Sequence, residues 1–144
     1  MQGIEKEIMQ KYDFIFRGII PCKDSLIVNT PEGRLRLERT SLPHERLRFI
    51  HGAKEHLCRN HFDAIDRYIC TAGGDPFFTF EQGTYTLTCM VEGRECNLEN
   101  RSDVIAASRT LALLHKSSRR FVPPAGCQVQ DDLGKLPVYF GKRL

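Results

Sequence analysis

The chain has 144 residues, of which 41% are hydrophobic and 27% are charged, so it is long enough to form one globular domain with its own core. No apolar run approaches the ~18 residues that a membrane span needs, and the net charge of +3 is spread over both signs. We therefore expect neither a membrane nor a nucleic acid as partner. The first seven residues lack the basic start and apolar core of a secretory signal, which predicts synthesis in the cytoplasm.

The first 40 residues predict a short helix followed by an antiparallel meander of three strands. A helix over residues 4–12 would place Ile4, Ile8 and Met9 near one face. Runs rich in β-branched and aromatic residues predict strands over 13–20, 25–29 and 34–39. Turn-forming residues separate the strands, with a break over 21–24.

The middle of the chain predicts one more helix and the rest of the sheet. Ser41 is suited to the N-cap, Pro43 would lie in the first turn, and apolar residues then recur at helical spacing up to Asn60. Further strands are predicted over 68–70, 76–80 and 84–91. The predicted fold class is α+β, with an antiparallel sheet of about five strands and one packed helix.

A glycine pivot and a second amphipathic helix follow the sheet. The last strand stops at Glu92 and Gly93, where a glycine lets the chain bend. Asn100 is suited to cap the next helix, with Asp103 reaching back to the cap as in a capping box. The apolar residues at helical spacing in this helix are Val104, Ala107, Leu111 and Leu114.

The six cysteines include no C-x-x-C pair, and we expect them to be free thiols. A zinc site could be drawn from His51, His56, Cys58 and His61, because imidazole and thiolate are zinc ligands. Residues five apart on a helix, however, point roughly 140° away from each other, so these histidines would not converge. No metal centre is predicted.

Five local runs carry a resemblance to a known family. They are ERLRFIHGAKEHL (45–57), DRY (66–68), YTLT (85–88), EGRECN (92–97) and DLGKLP (132–137). In these runs the chain resembles the CotS-like spore coat proteins, relatives of the aminoglycoside and choline phosphotransferases. The resemblance implies a kinase-like N-terminal lobe over residues 1–93. It implies that residues 94–144 contain the exit from the hinge, one helix and the start of an incomplete second lobe.

The resemblance also implies a nucleotide cleft, and the cleft positions of kinase-like folds can be matched to residues of this sequence. In kinase-like folds a lysine on the third strand holds the α- and β-phosphates, and a glutamate on the next helix fixes that lysine. The lysine position falls on Glu38 and the small residue above the adenine on Arg36, while the helix glutamate corresponds to Glu55. A carboxylate repels polyphosphate and a guanidinium fills the space of the base, so both replacements oppose nucleotide binding.

The third strand has two other possible registers. A shift by one residue would present Arg39 but would turn Leu35 and Leu37 towards the cleft, because side chains alternate between the faces of a sheet. A shift by two would let Arg36 supply the charge. Without a lysine partner, Glu55 would be an exposed carboxylate pairing with nearby Lys54 or Arg59.

The pivot would supply the remaining residues of this cleft: Met90, Glu92 and Gly93. The alternative for Glu92 and Gly93 is purely structural, a bend after a strand. Relatives use a His-Gly-Asp segment and a second, magnesium-holding aspartate, and the sequence has no such segment. Asp132 is interpreted as a turn or cap residue. No catalytic residue is predicted.

The sequence thus predicts a spore-coat-associated, kinase-like protein that is catalytically inactive by itself, requires no cofactor and acts as a structural or assembly module. Its expected partners are spore coat proteins, or a second copy bound through the helix that begins after Asn100. The alternative is the nucleotide-binding half of a small-molecule phosphotransferase whose catalytic lobe lies outside this chain. In that case ATP and magnesium would bind to it.

Overall fold

A computed structural model describes residues 2–127 of the chain and shows three helices and one antiparallel sheet. The helices are α1 (Gln2–Lys11), α2 (His44–Arg59) and α3 (Arg101–Ser117). The strands are β1 (Gly18–Cys22), β2 (Ser25–Thr30), β3 (Gly33–Thr40), β4 (Phe78–Phe80) and β5 (Gly83–Cys89). The strand order in the sheet is β1-β2-β3-β5-β4. The α+β class and the five-stranded antiparallel sheet are therefore confirmed.

The hydrophobic core lies between α1 and one face of the sheet. It contains Ile4, Ile8, Tyr12, Val28, Leu35, Leu37, Phe78 and Leu87. Ile4 and Ile8 of α1 and Tyr12 directly after it are four positions apart, so they lie one above another on the same side of the helix. Met9 is 64% exposed, and its predicted place on this face is wrong. The sequence predicted one packed helix, whereas α1 also packs on the sheet.

The first strand differs from its prediction over residues 13–20, because it begins only at Gly18. Phe14 and Phe16 nevertheless pack against the core. The predicted break over 21–24 is confirmed only at Lys23 and Asp24, which form the turn, because Pro21 lies in β1 opposite Leu26. A proline is tolerated there because β1 is an edge strand, whose outer side has no ladder to donate to.

The start of α2 also differs from the prediction. Its N-cap is Pro43, which has no side-chain capping bond, rather than Ser41. The reason lies upstream: Thr40 Oγ1 accepts a hydrogen bond from the Leu42 amide at 3.1 Å, so the chain turns before the helix begins.

The predicted strand over 68–70 is reduced to a single bridge between Tyr68 and Thr88. The short strand β4 pairs farther along the same edge of β5, with Phe78 opposite Tyr85. Two separate segments therefore share that edge. The last strand ends at Cys89, two residues earlier than predicted.

The cap of α3 is confirmed, because the Asn100 side chain accepts a hydrogen bond from the Ser102 amide at 2.9 Å. Asp103 does not reach back to the cap as predicted. Its carboxylate instead accepts hydrogen bonds from the Arg94 guanidinium at 2.6 and 2.7 Å and from the Asn97 amide at 2.9 Å. Arg94 satisfies both oxygens at once, and this holds the pKa of Asp103 below its usual range.

Among the described residues, no helix is both long and apolar enough to cross a membrane.

Candidate functional site

The face of the sheet opposite α1 carries the candidate cleft. Leu35 and Leu37 belong to the core, so the alternation of β3 turns Arg36 and Glu38 to the other face. A cavity of about 350 Å³ opens on this side. Its walls are Arg36, Glu38, Ala64, Ile65, Asp66, Thr88, Cys89, Met90 and Val91. Three of the sequence-predicted cleft residues, Arg36, Glu38 and Met90, thus come together here.

The two charged side chains from β3 form an ion pair in this cavity. Arg36 Nη1 lies 3.7 Å from Glu38 Oε1, and both side chains are about half exposed. Their neighbours on β5 are small: Thr88 lies opposite Arg36, and Thr86 lies opposite Glu38. The one-residue register shift does not occur, because it would expel Leu35 and Leu37 from the core.

A second ion pair stands at the wall of the cavity and was missed from the sequence. Lys54 Nζ of α2 donates to the carboxylate and to the backbone carbonyl of Asp66, each at 2.8 Å. The same ammonium lies 4.3 Å from the centre of the Tyr68 ring, a cation–π contact. The Lys54 side chain is only 14% exposed. Burial and the nearby carboxylates of Asp66 and Glu38 raise the pKa of Tyr68.

Glu55 is paired, but with neither of the residues proposed from the sequence. Arg67 donates to both of its carboxylate oxygens, at 3.0 and 2.8 Å. This bidentate contact lowers the pKa of Glu55 and raises that of Arg67. The sequence signal was available in the DRY run, where Asp66 and Arg67 stand in the same order as their partners Lys54 and Glu55. Glu55 does not line the cavity.

The two pivot residues also lie outside the cavity wall. Glu92 accepts a hydrogen bond from Arg34 at 2.9 Å, which ties the pivot to the start of β3. Gly93 has open space around its α-carbon and is not among the glycines with positive φ. Its backbone therefore does not require glycine, and the role of the predicted cleft residues in nucleotide binding stays a prediction.

The histidines and cysteines of the described segment are spread over separate places. His51 Nε2 lies 3.6 Å from Cys70 Sγ, whereas His56 Nε2 donates to the carbonyl of Arg119 at 2.9 Å. The six cysteines are free thiols. Within residues 2–127 no three His, Cys, Asp or Glu side chains are grouped so that they could hold a metal ion. Asp132 lies outside the described residues.

Comparison with known proteins gives a fold and no family. No protein-family model matches the chain, and no curated protein sequence matches it. Among solved structures, the aminoglycoside phosphotransferase from Alicyclobacillus acidocaldarius is similar, with a TM-score of 0.71 and 20% identity over 94% of this chain. A microcompartment-associated aminopropanol kinase is similar over 94% of this chain, with a TM-score of 0.54 and 20% identity.

The chain spans 40% of the length of the first of these proteins and 46% of the second. At 20% identity the likeness shows the fold alone. The chain therefore has a kinase-like phosphotransferase fold over part of the length of such proteins.

Proposed function

We propose that this chain is a kinase-like module that serves assembly in the spore coat and does not bind a nucleotide in the manner of its fold. The observation that carries this proposal is the position of Glu38, whose carboxylate lies in the cavity beside Arg36. At this place the resemblance leads one to expect the lysine that binds the phosphates. A carboxylate there repels polyphosphate instead.

The charges around the cavity support the proposal. Among the described residues, three cations lie on or next to its wall, and each is paired with a carboxylate: Arg36 with Glu38, Lys54 with Asp66, and Arg67 with Glu55. A triphosphate bound here would have to break one of these pairs to gain a cation, and would leave the freed carboxylate close to its own charge. Such an exchange lowers affinity because both the lost pair and the new repulsion oppose binding.

Titration calorimetry with magnesium and ATP tests this proposal on the full chain. We expect no heat of binding. A saturable heat signal with one site per chain would overturn the proposal.

The place of action in the spore coat rests on the resemblance of the local runs to CotS-like proteins. A fluorescent fusion produced in a spore-forming host should concentrate at the coat during sporulation. A fusion that stays evenly distributed through the cell would contradict this part of the proposal without affecting the prediction for ATP.

A second candidate is the nucleotide-binding half of a small-molecule phosphotransferase. It is favoured by the cavity itself, which opens beside Met90 just after β5, and by the names of the two similar structures. In that case ATP and magnesium would bind here. An in-frame continuation of the coding sequence containing a His-Gly-Asp segment would favour this candidate over the first.

A further inference from the structure

The helix α3 exposes most of its apolar side chains. Ser117 is buried, donating to the Asn60 carbonyl, and Leu114 is partly covered, so the last turn of α3 contacts the rest of the described chain, whereas Asp103 is partly covered by its contact with Arg94. Val104 is 39% exposed and Leu111 is 52% exposed. Large exposed apolar patches mark interaction sites when they are contiguous.

Three exposed apolar residues and the partly covered Leu114 form one continuous stripe. Val104, Ala107, Leu111 and Leu114 follow one another at intervals of three, four and three, which is the spacing of a helix–helix contact seam. The order of intervals is the same in both directions. A second α3 laid antiparallel over the first would therefore place Val104 level with Leu114 and Ala107 level with Leu111, a larger residue opposite a smaller one in the second pair.

The charges at the two ends of α3 suit the same arrangement. Glu95 and Glu99 lie just before the helix, whereas Lys116 and Arg119 lie at its end. In an antiparallel pair Glu99, just before α3 of one copy, would come near Arg119, just after α3 of the other, so these opposite charges would meet at both ends. A parallel pair would bring like charges together.

We propose that the stripe of α3 is the contact surface for a second copy of this chain, paired antiparallel about a two-fold axis near residue 109. This inference rests on the proposed assembly function and names its first partner. A two-fold contact uses the same surface on both copies, so one stripe is sufficient.

Sedimentation velocity of the full chain over a wide range of concentrations tests the inference. We expect a monomer–dimer equilibrium. Leu111→Glu should weaken the dimer by at least about tenfold, because it replaces the burial of a leucine by that of a charge. Leu113→Glu is the matched control, since Leu113 is 46% exposed but lies off the stripe, and it should leave the equilibrium unchanged.

A charge exchange gives a second measurement that does not alter the apolar stripe. Glu99→Arg should weaken the dimer, and adding Arg119→Glu in the same chain should restore it. Sedimentation as a monomer at all concentrations would overturn the inference, as would equal effects of the two leucine variants. A loss of thermal stability of the monomer in Leu111→Glu alone would overturn it too, because the stripe would then be covered within the chain.

The same samples separate this inference from the proposed function. A monomer that gives no heat with magnesium and ATP refutes the second-copy contact alone. A dimer that binds ATP refutes the nucleotide part of the proposed function and leaves the contact standing.

Discussion

Glu55 of α2 is held by Arg67, whose Nε and Nη2 donate to its two carboxylate oxygens at 3.0 and 2.8 Å. The partner comes from the segment after α2 rather than from β3. One residue earlier on each side, Lys54 meets Asp66. These two ion pairs fix α2 to the segment that bridges to β5. Among the described residues, Arg36 and Glu38 of β3 have no ion-pair partner on α2.

The Glu55–Arg67 pair should contribute measurably to stability. A double-mutant cycle with Glu55→Gln and Arg67→Gln should give a coupling free energy of about 0.5–1 kcal/mol, because the contact is bidentate but partly exposed to solvent. Urea unfolding measures it. The Arg48–Asp75 pair, a single contact at 3.3 Å with both side chains about half exposed, is the control and should give a smaller value. Equal coupling in both cycles would contradict the importance of the bidentate geometry.

His51 should make stability depend on pH. Burial is the main cause that lowers its pKa from 6.5, and the charges of Arg67 and Lys54 add to this against the opposing effect of Glu55. As the pH falls, the unfolded chain therefore takes up a proton on this ring before the folded chain does. The contribution of His51 to the free energy of unfolding is complete above the pKa of the ring in the unfolded chain and is lost as the pH falls through its pKa in the folded chain. When the pH is lowered from about 7 to about 5, we expect the free energy of unfolding to fall less in His51→Gln than in the unchanged protein.

A proton NMR titration provides a direct reading of the same group. The His51 ring should titrate below 6.5 in the folded protein. A midpoint at or above this value would refute the expected pH dependence.

Gly52 should be intolerant of substitution although it lies within a helix. An alanine Cβ there would come within 2.7 Å of Cγ of Pro124, which packs against α2. We expect Gly52→Ala to lower the free energy of unfolding by about 1–2 kcal/mol, since overpacking outweighs the gain in helix propensity. Gly93→Ala is the control and should be close to neutral, because nothing lies within 4 Å of the added atom. A Gly52→Ala variant that is more stable than the unchanged protein would contradict this prediction, because it would show that the residues around Pro124 move aside at little energetic cost.

The two replaced positions on β3 can be tested by restoring them. Arg36→Ala combined with Glu38→Lys provides an open space and an amine in the cavity. We expect the melting temperature of this variant to rise when magnesium and ATP are added. Glu5→Lys with Arg17→Ala makes the same change in net charge on exposed residues away from the cavity and should not respond. Equal responses of both variants would mean that the ATP effect is a general effect of charge.

Much of the fold could be predicted from the sequence because its signals are local. The alternation of β3 and the Asn100 cap each depend on a few adjacent residues. The first strand was misplaced because Phe14 and Phe16 have strand-like side chains but pack against the core from the irregular segment before β1.

The candidate site was predictable only in part. The outward side of Arg36 and Glu38 follows from the period of a strand, which is a local property. The partners of Lys54 and Glu55 are twelve residues away in sequence and depend on how the chain turns after α2. The periodicity of helices and strands carries no information about such a contact. From the sequence, therefore, only neighbours along α2 could be suggested as partners of Glu55. The division of the chain at residue 93 stays a prediction.

Thermal unfolding of the unchanged protein with and without magnesium and ATP is the most direct test of whether the cavity binds a nucleotide. We expect no change in melting temperature at any nucleotide concentration. A ligand at 100 times its dissociation constant would stabilise a folded site by roughly 2.7 kcal/mol, which is readily measured. A rise in melting temperature that saturates with ATP and is absent in a variant with a blocked cavity, such as Thr88→Trp, would show that the cavity binds the nucleotide and would refute the proposed function.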